Sequence, residues 1–282
     1  LNMFEHMLGE RICEKDWVYN FYYEPFYLSH AFGNFKTFNI CVEIAIPIVA
    51  QHIRKLKPRL ITGVANRVLE LIDFFPEISS CGVEVVSTNS ESSPARLRRK
   101  NEKRTGISVL DEYSSEELGI IAWEDRDTKD YVVAEDGLFL ELLDTEHFGT
   151  TMQQVVGTCF NSMIMPRIRY IQGDFAEWAV GSSEGEVEIA QQATGPRHLK
   201  QIHGRADMSL IRADGSSLQA SLVLGLVDRH LLKASREIKQ FRLIQKSVHE
   251  IHLLLLGSSS DEAAAAVQNF AASLDASLGK GL

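Results

Sequence analysis

Residues Asp111-Glu-Tyr-Ser-Ser-Glu-Glu-Leu-Gly119 form an acidic, hydroxyl-rich stretch between two apolar runs, Val109-Leu110 and Ile120-Ile121-Ala122-Trp123. A strand ending in Tyr113, Ser114, Ser115, Glu116 and Glu117 sets hydroxyls and carboxylates at one edge of a sheet. Open α/β sheets place their ligand sites outside the carboxyl ends of the strands. The stretch is therefore read as a turn at a ligand-binding edge. A solvated acidic loop is the competing reading, and an isolated turn of this kind would favour it.

Upstream, strands and helices alternate. Apolar Ile44, Ile48, Val49 and Ile53 predict a helix over Val42–Leu56 that Pro58 ends. Arg59–Thr62 reads as a strand, and Asn66–Phe75 as a helix with Val68, Leu69, Ile72 and Phe75 on one face. A strand over Val83–Val86, a helix over Pro94–Arg104 and a strand over Ile107–Leu110 follow. This alternation predicts mostly parallel α/β layers. The first fifty residues are rich in aromatics, from Trp17 and Tyr19 to Phe38, and read as a core segment between helices or as a stacking surface.

After Trp123 the texture changes. Tyr131–Val133, Leu138–Leu143, Gln154–Val156 and Ile168–Tyr170 read as short strands between Gly- or Asp-bearing turns, a barrel-like β-rich subdomain. Gly181–Gly185 resembles a hairpin loop. A boundary falls near Arg205–Asp207, giving a large domain over 1–206 (α/β to about 123) and a small α+β domain over 207–282. In the small domain, Phe241–Ile244 and Ile251–Leu256 are expected strands. Asp261–Leu274 is an Ala-rich helix with Ser260 as N-cap.

Composition narrows the function. A net charge of −9 argues against a broad electrostatic grip on nucleic acid. The basic run Arg96–Lys100 with Lys103 and Arg104 reads as the solvated face of a helix. The apolar stretch Ile40–Ile53 is too short to span a bilayer, and the N-terminal residues lack an export core. Four scattered cysteines form no disulfide framework. A cytoplasmic enzyme, free of membrane and nucleic-acid partners, is the expectation; the oligomeric state is unreadable.

Two further signals, Arg169-Tyr-Ile-Gln-Gly-Asp174 and His203-Gly-Arg-Ala-Asp207, follow Tyr113-Ser-Ser-Glu-Glu117 in order. With Ser87-Thr-Asn-Ser-Glu91 and Ile238-Lys-Gln-Phe241, the set resembles acyl-adenylate-forming enzymes, specifically the phenylacetate–CoA ligase family, from about Leu56 onward. The resemblance implies the adenylate-forming ligase fold. It also implies ATP-dependent activation of a small carboxylic acid, aromatic or other, as acyl-AMP, with transfer to the thiol of coenzyme A. Transfer to a protein thiol, and a catalytically degenerate nucleotide- or partner-binding relative, are the alternatives.

By the same resemblance Glu117 binds Mg²⁺ beside the phosphates, and Tyr113, Ser114 and Ser115 line the adenine and phosphate side. Ser90 and Glu91 lie against adenine, or else cap the helix at Pro94. Asp174 accepts both ribose hydroxyls, as an acceptor-only carboxylate can. Arg205 contacts ribose or phosphate and serves catalysis together with Glu117. Asp207 is the hinge, or a plain linker. Glu116 stands where many relatives have Thr or Ser, and an exposed carboxylate at a helix start is its expected role. His203 reads as a satisfied surface or hinge residue. The acid pocket is expected to border Thr62–Asn66 and Ser87–Ser90.

Three family features are missing. No Gly/Ser/Thr-rich phosphate loop precedes Tyr113, since Gly149-Thr-Thr151 lies downstream. Lys280 lacks the context of the family's C-terminal lysine. The places of the family's zinc cysteines read Trp123-Glu-Asp125 and Ala193-Thr-Gly195, so zinc is not expected. The simplest expectation is a piece of a ligase that keeps part of an AMP pocket and catalyses little adenylation alone.

Overall fold

The computed structural model describes residues 3–22, 30–32, 35–147, 150–180, 196–205, 209–218, 220–232, 234, 238–257 and 260–279. The chain divides into two compact units. The first comprises Leu1–Leu140, Gly157–Tyr170 and Trp178–Lys200; the second comprises Glu141–Val156, Ile171–Glu177 and Gln201–Leu282.

The first unit opens with helix α1 (Met3–Leu8), strands β1 (Trp17–Tyr22), β2 (His30–Phe32) and β3 (Phe35–Cys41), and helix α2 (Ile46–Leu56). Then come β4 (Leu60–Val64), α3 (Ala65–Phe74), β5 (Val85–Asn89), α4 (Ala95–Thr105), β6 (Ser108–Ser115), β7 (Gly119–Glu124) and β8 (Tyr131–Val133). Strands β9 (Leu138–His147), β10 (Thr150–Cys159), β11 (Tyr170–Trp178) and β12 (His198–Arg205) contribute residues to both units. The hydrogen-bonded order is β2-β3-β1-β4-β5-β6-β7-β8-β12-β11-β10-β9. Neighbours from β3 through β6 run parallel, whereas β6, β7, β8 and β12 pair antiparallel. The β-rich half is thus joined edge to edge, through β6, to the parallel half.

The aromatic N-terminal stretch is, over its described residues, a core segment between α1 and α2, and it is strand. It supplies β1, which lies between β3 and β4, with Val18 and Tyr19 fully buried and Phe21 nearly so. Aromatic and β-branched side chains fit a pleated surface well, which is why this segment enters the sheet. Tyr23, Phe26 and Tyr27 lie outside the described residues.

Helix α2 starts at Ile46, four residues later than its periodicity suggests. Pro47 sits in its first turn, where no intrahelical N–H bond is lost. Buried Val49, Ala50 and Ile53 of α2, with Val68, Leu71 and Ile72 of α3, join Tyr19, Phe21, Ile61, Val86 and Val109 of the strands in one core.

Helix α4 corrects a second expectation. Its inward residues are Arg98, Asn101 and Thr105, and Arg98 is only 2% exposed. Helical spacing carries this arginine under the sheet rather than into solvent.

The turn from β7 to β8 is fastened by Asp125. Its carboxylate accepts from the Thr128 N–H (2.7 Å), the Thr128 hydroxyl (2.9 Å) and the Asp127 N–H (3.0 Å), and pairs with His6 of α1 at 2.8 Å. Burial pushes this carboxyl up, but the donors from Thr128, His6 and Asp127 outweigh it and hold it at about 2. A depressed carboxyl stabilises the fold above its unfolded value of 3.8, and that stabilisation is lost as pH falls through about 2. Asp125→Asn is expected to cost about 1–2 kcal/mol at pH 7, discounted for partial solvent screening. In urea titrations the gap between variant and parent should close between pH 4 and pH 2; a gap constant with pH would refute this linkage.

In the second unit, β13 (Leu210–Ile211) and β14 (Ser217–Leu218) form a small ladder, followed by α5 (Ala220–Val227). The β15 (Ile238–Ser247) and β16 (Glu250–Gly257) hairpin and α6 (Asp261–Leu278) complete it. Helix α6 runs one turn beyond its expected end. Its buried Ala263, Ala266, Phe270, Leu274 and Leu278 follow three- and four-residue spacing. Ser260 caps it as expected, its Oγ accepting from the Ala263 N–H at 3.1 Å. Among the described residues no helix is long and apolar enough to cross a membrane.

Candidate functional site

The acidic, hydroxyl-rich stretch Asp111–Gly119 is mostly strand. β6 continues through Ser115, and only Glu116–Leu118 turn back into β7. The pairing Glu112↔Trp123, Tyr113↔Ala122, Ser114↔Ile120 and Ser115↔Gly119 satisfies the backbone groups that a longer loop would leave to water, with a bulge between Tyr113 and Ser114. No helix starts at Glu116 or Glu117; both lie in this turn.

Being a strand changes where the side chains go, because successive residues face opposite ways. Asp111 faces a buried network. Thr88 donates to its Oδ1 at 2.6 Å, the Tyr131 hydroxyl donates to its Oδ2 at 2.8 Å, and Arg98 lies 3.7 Å away. Burial lifts the Tyr131 phenol well above its ordinary value, keeping it protonated as a donor. Arg98 Nε also donates to Glu124 at 3.0 Å, and Arg99 donates to the other Glu124 oxygen.

Glu112 faces the opposite side, toward the carboxyl ends of β4 and β5. Its Oε1 accepts from the Ser114 hydroxyl at 2.9 Å, and the Asn89 side chain bonds the same carboxylate. Asn89 also donates to the Thr62 hydroxyl at 3.3 Å. Thr62, Asn89, Glu112 and Ser114 therefore form one polar chain across the carboxyl ends of three adjacent parallel strands, where α/β sheets bind ligands. Burial raises the Glu112 carboxyl, as does the neighbouring Asp111 charge.

Ser90 follows with a left-handed φ of 62°, its hydroxyl donating to the Asn89 side-chain Oδ1 at 3.0 Å. Glu91 accepts from the Asn66 N–H at 3.2 Å. It meets the first turn of α3 and not that of α4, whose N-terminus at Pro94 has no side-chain cap.

Tyr113 is half-buried, and Ser115 Oγ accepts from the Leu118 N–H at 3.2 Å to close the turn. Beside the turn, a cavity of about 500 Å³ is lined by Glu116, Glu117, Trp123, Asp136, Asn161 and Ser162, among others. The oxygens of Glu116, Glu117, Asp136, Asn161 and Ser162 suit Mg²⁺, which takes one or two protein carboxylates together with substrate phosphates and water. No cluster of three His, Cys, Asp or Glu among the described residues forms a closed metal cage.

In the second unit, β11 carries Asp174 and the adjacent β12 carries Arg205. Asp174 is 8% exposed. Gly173, in the left-handed region at φ 87°, leaves room for the Arg205 guanidinium, whose Nη2 would stand 3.7 Å from a Cβ added there. His203, expected to be a satisfied surface or hinge residue, is satisfied but buried on β12, with Nε2 2.7 Å from Glu177 Oε1. Asp207, Lys280, the loop 181–185 and residues 193–195 lie outside the described residues.

Sequence reasoning passed over Glu112, Trp123 and Asp136. The signal for Glu112 was available: an alternation of Leu110, Glu112 and Ser114 that only a strand would place on one face.

No family model matches the chain, and no curated protein matches it. Solved structures share its fold. A 2-hydroxyisobutyryl-CoA ligase in the postadenylation state, in complex with R3-HIB-AMP, is 19% identical and superposes with a TM-score of 0.69 over 97% of this chain and 61% of its own. An anthranilate CoA ligase in complex with anthranoyl-AMP is 14% identical, at a TM-score of 0.59 over 95% and 55%. A coronafacic acid ligase from Pectobacterium brasiliense is 11% identical, at 0.55 over 98% and 57%. The chain spans less than two thirds of each. Its fold is that of the adenylate-forming ligases.

Proposed function

We propose that this chain carries the adenylate-binding part of an acid–thiol ligase of the phenylacetate–CoA ligase type, which activates a carboxylic acid as acyl-AMP and passes the acyl group to coenzyme A. The observation that carries the reading is that buried Asp174 on β11 and Arg205 on the neighbouring β12, its guanidinium beside Gly173, stand on adjacent strands of a ligase fold.

Asp174 accepts hydrogen bonds from the two ribose hydroxyls, and its burial strengthens them by excluding water. Arg205 offsets the phosphate charge that builds as one anion approaches another. Glu117, at the cavity edge, is the carboxylate to hold Mg²⁺ together with the substrate phosphates. When bound, that ion supplies charge neutralisation at the phosphates. In the second half-reaction the thiol sulfur bonds the acyl carbon and AMP leaves with the electron pair of the broken bond.

Calorimetric titration of AMP, with Mg²⁺, tests this. Asp174→Ala is expected to weaken AMP binding about 100-fold through loss of two charge-assisted bonds. An unchanged affinity in the variant, or no binding by the folded parent chain, would count against the reading.

A further inference from the structure

Among the described residues, carboxylates in the interior of the first unit are matched with cations, with one exception. Glu124 holds Arg98 and Arg99, and Asp111 lies 3.7 Å from Arg98. Glu112 has no cation among the described residues. Its bonding partners are the neutral Asn89 and Ser114, and its charged neighbour Asp111 carries the same sign. A carboxylate has about four acceptor sites, and these two donors leave acceptor capacity free.

The surroundings of Glu112 share this deficit. The registers Thr62↔Ser87, Ser87↔Leu110 and Glu112↔Trp123 put Thr62, Ser87, Glu112 and Trp123 on one face of the sheet. Ser87 is fully buried and Trp123 is 2% exposed, yet Ser87 Oγ and Trp123 Nε1 have no hydrogen-bond partner. Buried polar atoms in folded proteins are normally satisfied, so orphaned ones ask for an explanation. Trp123 also lines the cavity beside Glu117, which brings this face next to the expected reaction centre.

We propose, resting on the ligase reading above, that Glu112 selects carboxylic acids bearing an amino or hydroxyl substituent. A donor on the acid occupies the spare carboxylate acceptor sites, and a cationic donor also supplies the missing counter-charge. An acid without a donor leaves Glu112 desolvated and uncompensated. A site built to bond a polar substituent rejects the analogue lacking it more strongly than an apolar pocket rejects an extra group.

The test is calorimetric titration of paired probes into the full chain with saturating AMP: benzoate against its amino and hydroxy derivatives, and phenylacetate against its own. At least one donor-bearing acid is expected to bind tenfold or more tighter than its parent. Glu112→Gln, which keeps shape and removes charge, is expected to shrink that preference to about twofold. Equal binding of parent and substituted acids, or a preference that survives Glu112→Gln, overturns the inference. AMP binding that depends on Asp174, with no acid bound at all, also overturns it and leaves the ligase reading standing. Absence of AMP binding by the folded chain removes both.

Discussion

Arg98→Met is expected to destabilise the first unit by about 3–5 kcal/mol, the usual cost of removing one partner from a buried ion pair. Arg98 and Glu124 are each 2% exposed, and the guanidinium also donates to the Ser93 carbonyl and lies 3.3 Å from the Tyr131 hydroxyl. Methionine keeps most of the apolar stem, so the loss measures charge and hydrogen bonding rather than packing. Glu124 would retain Arg99, which is 25% exposed and free to turn toward water. Asp111 would keep Thr88 and Tyr131 but lose its nearest cation.

All three tryptophans, Trp17, Trp123 and Trp178, belong to the first unit, so their fluorescence in urea follows its unfolding. Adding Glu124→Leu to Arg98→Met should restore part of the loss, because it removes the stranded charge. A loss under about 1 kcal/mol, or a double variant worse than the sum of the singles, would show that the network is not a coupled buried pair.

Gly63→Ala is the second large effect expected, about 3 kcal/mol or more. Gly63 lies in β4 at φ 141°, where side chains are strained, and a Cβ there would stand 2.6 Å from both Phe21 Cβ and Phe21 O and 2.9 Å from Phe21 N. Two of these three atoms are backbone, and Phe21 is itself paired with Gly63 across β1 and β4. Relief would require parting two central parallel strands, so strain and overpacking act together. Thr62 stands next to this contact, and Asn89 bonds it, so the loosening should reach the polar edge and weaken AMP or acid binding as well. Urea midpoints of Gly63→Ala and the parent chain decide the matter. A midpoint shift equivalent to under 1 kcal/mol would mean the strands yield more easily than their burial implies.

Much of the architecture was readable from local pattern. The apolar spacing of α3, the Ser260 cap and the Ala-rich α6 each depend on residues within a few positions of one another. Strand–helix alternation from Arg59 to Leu110 likewise specified a parallel arrangement, because parallel strands need a crossover between them. The polar edge was visible as a cluster of Tyr, Ser and Glu, but its extent was misjudged. Whether Asp111–Ser115 are turn or strand depends on β7 folding back as a partner, and hydrogen bonds between strands leave no mark in a local window.

Residue pattern along the chain specifies an α/β protein with a polar, acidic strand end and a small α+β C-terminal unit. Tertiary structure alone decided which charges are interior and which side chains meet. Arg98 looked like part of a solvated basic run, yet its partner Glu124 lies 26 positions away and draws it inside. Asp174 and Arg205 are 31 positions apart in the chain (205 less 174) and stand on neighbouring strands only because β11 and β12 are adjacent. Glu112 turned from an unremarked residue into the uncompensated carboxylate of the edge once the strand register set it across from Trp123, on the face opposite to that of Asp111. Local composition fixes which elements form, whereas burial and electrostatic pairing are properties of neighbours that only the folded chain brings within reach.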